Sequence, residues 1–480
     1  MTKRLRPTDR LAVRLGLLPL VVLLAGCPKT LSVKVAGVGS GDVSSTPAGI
    51  SCGAGGAACA TTAEQGTAVT LNATPSPGSV FAGWSGACSG SSASCSVTLN
   101  GDATAFAYFR TTQVATGAYH TCALKLDGTV KCWGRNDEGQ LGRGTNQSIN
   151  NSNEFPQTVT NLSNVVALAA GGFHNCVLLV GGSVQCWGNN HDGQAGNASG
   201  ADPISAPGPI RTFATVPGVG IAAGGYHSCE LMSDGTVMCW GYNHDQQITA
   251  GTFGNTHTAT AAAGIAGAVA VTAGAYHSCA LLGNGSAACW GYNNDGETGT
   301  SPSPFNTLSI SARQLDAATG AGTIGTTAQG GWHTCAVLTN GSVSCWGFNG
   351  HGELGNGSTF SPQPLGTPVT ASPLSLATSV AAGGYHTCAI AGGAVMCWGA
   401  NESAQLGRGV FGGDLLVPAA VSGTPPPALS VDAGAYHTCA VFSGADDVRC
   451  WGRNTEGEVG RNPNNTRSDP VTIPLKPLDF

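Results

Sequence analysis

The chain is predicted to be all-β, a repeat array of the propeller type preceded by a small β-rich module. Three observations carry this. The stretch GAYHTCALKLDGTVKCWGRNDEGQLG at Gly117–Gly142 returns with its His at His120, His174, His227, His277, His333, His386 and His437. The spacings of 54, 53, 50, 56, 53 and 51 residues are a period near 50, the mark of propellers and arrays. Glycine supplies 73 of 480 residues, about twice ordinary usage. It falls at repeated turn positions between short apolar runs, so it punctuates strands.

Charged residues are 10% of the chain, so its polar surface is predicted to be Ser, Thr, Asn and Gly, as in many exported β-proteins. Lys3, Arg4, Arg6, Arg10 and Arg14 precede the apolar run Leu15–Leu24, which is too short to span a bilayer as a helix. Leu24-Ala25-Gly26-Cys27 follows. This tetrad resembles the bacterial lipoprotein signal, which implies a signal peptide over 1–26, lipidation of Cys27 and a short anchored linker over 27–30. Pro28 after that Cys implies the outer membrane or cell surface of a bacterial envelope. Removing five basic residues together with Asp9 takes the net charge from −6 to −10. An acidic chain without clustered Lys and Arg is not expected to bind nucleic acid.

Residues 31–110 alternate apolar and polar positions between Gly, Pro and Ser turns, as half-buried strands do. Gly66–Pro75 reads G-x-x-V-x-L-x-A-x-P, Phe81–Trp84 reads F-x-G-W and Ala107–Phe109 reads A-x-F. With these motifs the segment resembles the internalin-type B-repeat, which implies a spacer or adhesion module. Cys52 with Cys59 and Cys88 with Cys95 are the nearest pairs, although four Cys allow three connectivities. The segment has no His, so disulfides are favoured over a metal site.

In the repeats the paired Cys fix their own register. Five pairs are ten residues apart around a three-residue loop ending in Gly128, Gly182, Gly235, Gly285 or Gly341, the place where such hairpins need a left-handed residue. Cys122 then faces Cys132, and likewise Cys176–Cys186, Cys229–Cys239, Cys279–Cys289 and Cys335–Cys345. Cys388 and Cys397 are nine apart around Gly392-Gly393, and Cys439 and Cys450 eleven apart around Ser443–Asp446, so these also face each other. Opposed Cys on antiparallel strands suit a disulfide. The competing His-x-Cys…Cys metal site has no fourth ligand at a regular offset, and no metal or cofactor is expected. Seven equivalent His without a regular Ser or Asp partner are expected to be structural, their nitrogens satisfying backbone groups. The Trp of each Cys-Trp-Gly strand is expected to pack between blades. Asn136, Asn190, Asn243, Asn293, Asn349, Asn401 and Asn454, each three residues beyond that Trp, are expected to fix the turn that follows, by bonding it or by turning left-handed.

The motifs G-x-x-H-T-C-A-L, D-G-x-V-x-C-W-G and N-x-x-G-Q-L-G together closely resemble the regulator-of-chromosome-condensation repeat family, in its bacterial Cys-paired branch. The resemblance implies a seven-bladed β-propeller over 111–480. Because the first repeat lacks a Pro-led strand and Asp469–Leu475 supplies one, the C-terminal strand is expected to complete the first blade. The family includes an exchange factor for a small GTPase, but no segment here matches its exchange wedge, and no such partner is expected. It also includes a secreted propeller that inhibits β-lactamases, which implies protein binding through one rim. Residues flanking the seven Asn differ between repeats, and a candidate binding rim is Arg135, His191, Tyr242, His244, Tyr292, Phe348, His351 and Arg453. The longer loops Thr249–Ala268 and Thr300–Thr323 are further recognition candidates. N-x-D-G at Asn190–Gly193 and Asn293–Gly296 offers two oxygen donors, short of the six to eight that calcium takes. The expected function is a non-enzymatic envelope scaffold for a protein partner. The alternatives are a glycan-binding adhesin and an enzyme with its site in the channel.

Overall fold

The computed structural model describes residues 27–53, 56–146, 155–197, 201–210, 212, 216–249, 251–299, 311–314, 324–325, 331–338, 340–360, 363–368, 374–423, 425–444, 446–460 and 471–477. Residues 1–26, read above as a signal peptide, and most of the Thr300–Thr323 loop lie outside them. Among the described residues all regular structure is β.

Two small sheets form the N-terminal module. One orders Ala60–Ala63, Lys29–Ala36, Ala103–Thr111 and Ser79–Gly86, with the middle pair parallel. The other orders Gly56–Ala58, Ser51–Gly53, Gly41–Thr46, Ala68–Pro75 and Ser94–Thr98. Alternating apolar residues meet between them: Leu31, Val33, Val43, Leu71, Trp84 and Phe109 are buried in one core. Disulfides Cys52–Cys59 and Cys88–Cys95 staple two of its loops. The module packs on the propeller's first three blades: Val38 N donates to Val166 O at 3.0 Å, Arg110 Nε donates to Leu126 O at 2.7 Å, and Lys34 Nζ donates to Ser233 O.

Seven four-stranded antiparallel sheets follow. Blade one orders Gln113–Thr116, His120–Leu124, Val130–Gly134 and Gln157–Thr158 from the inside outward. Each later blade repeats that plan, and in all seven the two Cys are directly opposed with Cα atoms 4.1 Å apart and joined by a disulfide. The loops between them behave as their lengths require. Gly128 has φ +85°, the short loop puts Gly392 and Gly393 at +58° and +82°, and in the long one Asp446 turns left-handed at +51°.

The C-terminal strand corrects one expectation. Val471–Leu475 pairs with the Trp strand of blade seven, through Cys450↔Leu475 and Gly452↔Val471, and does not enter blade one. The Pro-led segments are the outer strands of the blades before them, so each blade is one contiguous piece of chain. Closure depends on contacts between whole blades.

Those contacts repeat around the ring. The residue seven beyond each Trp is Gln140, Gln194, Gln247, Glu297, Glu353, Gln405 or Glu458, and all seven are buried. Its backbone carbonyl accepts two bonds from the next blade. Trp187 Nε1 and Asn175 Nδ2 donate to Gln140 O at 2.9 and 2.8 Å, and Trp240 Nε1 and Ser228 Oγ donate to Gln194 O at 3.0 and 2.9 Å. The last step joins blade seven to blade one, where Trp133 Nε1 and Thr121 Oγ1 both reach Glu458 O at 2.8 Å. A third bond uses the His. His174 Nε2 lies 2.8 Å from Ser228 Oγ, His386 Nε2 2.8 Å from Thr438 Oγ1, and His437 Nε2 2.8 Å from Thr121 Oγ1. A hydroxyl that donates to a carbonyl is left to accept, so these rings donate from Nε2. The His is therefore structural, but its partner is a side chain of the neighbouring blade and not the backbone group expected. Burial lowers these imidazoles to about 3–4, and an added proton would place a buried Nδ1–H where His174, His386 and His437 have no partner among the described residues.

The seven Asn each accept at Oδ1 from the amide five residues on, as Leu141 N does to Asn136 at 3.0 Å. None of them is left-handed. That conformation is taken six residues beyond the Trp, by Gly139 at φ +70° and even by Gln246 and Ala404 at +61°, where Gly is replaced. The channel mouth explains the Gly three residues before each His. A Cβ on Gly434 would lie 2.5 Å from Gly117 O across the seam and 2.7 Å from His437 Cε1.

Two outcomes follow from this packing. Gly434→Ala is expected to lower unfolding free energy by about 3 kcal/mol, because neither blocking group is a flexible side-chain end. Gly208→Ala, at a position with nothing within 4 Å, is expected to stay within about 0.5 kcal/mol of the parent in the same denaturant titration. Equal effects would contradict the close seam. Burial raises the Glu297 carboxyl to about 8, so the folded state holds a proton that the unfolded chain has released, and stability falls as pH rises from about 4.5 toward 8. Glu297→Gln, the residue that four other blades carry, is expected to gain on the order of 2 kcal/mol over the parent at about pH 8 and little at about pH 4. A pH-independent gain would contradict that origin.

Candidate functional site: an aromatic collar on one rim

The His strand begins and the Trp strand ends at the same edge of each blade, since His120 pairs with Gly134 in antiparallel register. The residue before each His is aromatic: Tyr119, Phe173, Tyr226, Tyr276, Trp332, Tyr385 and Tyr436. Seven equivalent blades place these side chains, all half-buried, around one mouth of the channel. They touch across blade boundaries, with ring centroids 6.0 Å apart for Tyr119–Phe173, 5.4 Å for Tyr226–Tyr276, 5.5 Å for Tyr276–Trp332, 5.9 Å for Tyr385–Tyr436 and 6.4 Å for Tyr436–Tyr119.

A second tier is fixed to this collar by a backbone bond in every blade. The amide of the residue two beyond the Trp donates to the aromatic residue's carbonyl, from Arg135 N to Tyr119 O at 2.9 Å through to Arg453 N to Tyr436 O at 2.9 Å. This draws together most of the candidate rim. Arg135 lies 5.5 Å from the Tyr119 centroid and 5.3 Å from that of Phe173. Arg453 lies 4.6 Å from Tyr119 and 5.7 Å from Tyr436. Tyr242 is 5.8 Å from Tyr276 and 5.1 Å from His244, and Tyr292 is 5.3 Å from Trp332. Phe348 N donates to Trp332 O at 2.8 Å, and His351 lies 5.7 Å from Tyr385. His191 is set apart: its side chain is 79% exposed and lies 3.7 Å from Asp202.

Charges on the rim are partly matched from within. Arg135 Nε donates to Asp137 at 2.6 Å, Arg453 Nε lies 3.3 Å from Glu458, and His351 Nδ1 lies 2.8 Å from Asp414. Burial works to lower the His351 imidazole, but the Asp414 hydrogen bond and the Glu353 carboxylate outweigh it and raise the group above its ordinary value. In the first N-x-D-G loop the side-chain oxygens serve the fold: Asn190 Oδ1 accepts from Ala195 N at 3.2 Å, and Asp192 Oδ1 accepts from Asn255 Nδ2 at 2.7 Å.

The channel is lined by small inner-strand residues, Ala115, Ala169, Ala222 and Ala273 among them, around a cavity of about 210 Å³. Two of its polar residues hold blades together. Gln113 bonds both Leu168 N and Leu168 O at 2.9 Å, and Asp432 accepts from Thr116 N at 2.6 Å and Thr116 Oγ1 at 2.8 Å.

Two sets of residues were not singled out from sequence. The collar was visible as an aromatic before every His. Phe253, Phe360 and Phe411 are 69–70% exposed on the loops that the Asn side chains hold, as Asn349 Nδ2 does to Phe360 O at 3.3 Å. They carried no signal, because nothing in the sequence marks an outward-facing Phe.

Comparison with known proteins agrees with this architecture. The RCC1-like domain model matches residues 97–411, RCC1 repeat models match 392–441 and 429–458, and the divergent InlB B-repeat domain matches 32–113. The Ultraviolet-B receptor UVR8 of Arabidopsis thaliana is 26% identical over 369 residues, covering 76% of this chain and 70% of that protein. The probable E3 ubiquitin-protein ligase HERC6 of Homo sapiens is 34% identical over 140 residues, but they are 28% of this chain and 13% of that protein. Prp20p of Saccharomyces cerevisiae, described together with its binding to Gsp1p and histones, superposes with a TM-score of 0.58 at 24% identity over 67% of this chain and 80% of that chain. With two thirds of its length matched by the domain model, the chain belongs to the RCC1-like domain family.

Proposed function

We propose that this protein is a lipid-anchored component of the bacterial cell envelope whose propeller is a docking scaffold for a protein partner, with the collar rim as the docking face. The observation that carries the docking face is the collar of seven half-buried aromatics around one mouth, with Arg135, Arg453, Tyr242 and Tyr292 seated on it. Aromatic and Arg side chains are the groups enriched at protein interfaces, and the exposed Phe253, Phe360 and Phe411 extend the apolar surface outward. Nine disulfides suit an oxidising, exported location, and Cys27 is exposed and outside all of them, at the position the lipoprotein-like tetrad assigns to the lipid. Binding is favoured over catalysis because Asp432 and Gln113, polar residues of the channel wall, are tied between blades.

Alanine at Tyr242, His244, Tyr292 and Phe348 together is expected to cut crosslinked partner recovery from the native cell surface by about tenfold. Unchanged recovery removes this face from the reading, and recovery that resists protease but not glycosidase assigns it to a glycan instead. Cys27→Ser is expected to move the chain from the membrane fraction to the soluble one. Retention in the membrane contradicts the anchor.

A further inference from the structure

The collar is not uniform around the ring. Across blades seven, one and two it already carries cations of the chain itself: Arg453 sits over Tyr119 and Tyr436, and Arg135 over Tyr119 and Phe173. Among the described residues these are the cations placed over collar rings. They show what the surface does with a guanidinium, since an aromatic face attracts a cation through its quadrupole. In blades three and four the slot that supplies those Arg holds Tyr242 and Tyr292. There the rings meet one another, with centroids 5.8 Å apart for Tyr242–Tyr276, 6.2 Å for Tyr276–Tyr292 and 5.3 Å for Tyr292–Trp332.

The surroundings of this cluster are acidic. Asp245 and Asp295 follow Asn243 and Asn293 on the same rim loops, and both are half-exposed. Burial above all holds the Tyr242, Tyr276 and Tyr292 hydroxyls above their ordinary value, and the Asp245 carboxylate adds a smaller push to each. The chain as a whole is net −6, which favours approach of a basic surface.

We propose that Tyr242, Tyr276, Tyr292 and Trp332, edged by Asp245 and Asp295, form a seat for a Lys or Arg side chain in a basic segment of the protein partner. This rests on the docking-face reading above and narrows it. The partner's cation takes the place over these rings that Arg135 and Arg453 take elsewhere on the collar.

The test titrates the full chain with an unstructured Lys-Ser repeat peptide and with the same peptide acetylated at every Lys. The Lys peptide is expected to bind at least about tenfold more tightly than the acetylated one. Its affinity is expected to fall at least about threefold between about 50 and 300 mM salt. Asp245→Asn and Tyr292→Leu are each expected to weaken it about fivefold, while Glu64→Gln in the N-terminal module leaves it within about twofold. No measurable binding, equal binding of the acetylated peptide, or indifference to both rim substitutions overturns the proposal; the peptide comparison needs no variant to fold. The same Asp245→Asn change in the cell-surface capture separates the two readings. Recovery that depends on the aromatic rim but not on salt or Asp245 overturns the cation seat and leaves the docking face standing.

Discussion

In each blade one backbone carbonyl, that of Gln140 or its equivalent, takes a Trp indole N–H and a side-chain donor from the next blade. That next-blade side chain in turn accepts from the His of the blade that supplies the carbonyl. Seven such nodes close the ring without a strand shared between first and last blades. Such a design works because every group at the node is buried and each bond satisfies a donor that would otherwise cost about 1–3 kcal/mol. The disulfides serve a different end. They hold the two central strands of one blade in register, and the nodes hold blade to blade.

Much of this was legible in the sequence because it repeats. Period, loop length and opposed Cys fixed the hairpin of each blade, and the structure keeps all seven pairings even where the loop shortens to Gly392-Gly393 or lengthens to Ser443–Asp446. What stayed hidden were relations between repeats. The His was read as structural, but its partner is the residue one past the next His, 50 or more positions away, and no local pattern points there. The Pro-led strand was assigned to the blade that follows because it comes just before that blade's His, whereas its hydrogen bonds go backward to the preceding Trp strand. Blade seven therefore keeps its own C-terminal strand. The candidate rim was read from the residues beside the constant Asn. Arg135, Tyr242, His244, Tyr292, Phe348, His351 and Arg453 gather at one mouth, while His191 faces solvent beside Asp202.

The division between frame and face gives the molecule its functional logic. His, Cys, Trp, Asn and the Gln or Glu of the node are buried and equivalent, so they hold the aromatic collar in place and leave the second tier free to differ. Arg in two blades, Tyr in two others and Phe348 in a fifth then make a rim with distinct sectors on a symmetric ring. Recognition by such a surface depends on which sector a partner's side chains meet.

The account stands most directly on the protonation state of the seven buried His. A nitrogen-15 spectrum of histidine-labelled protein, followed from about pH 8 to pH 5, reads it at each ring. The account expects seven neutral rings protonated at Nε2 that do not titrate over this range, as burial and the hydroxyl partners require. Seven rings that titrate near the ordinary value of about 6.5, or that carry the proton at Nδ1, would contradict the interblade node.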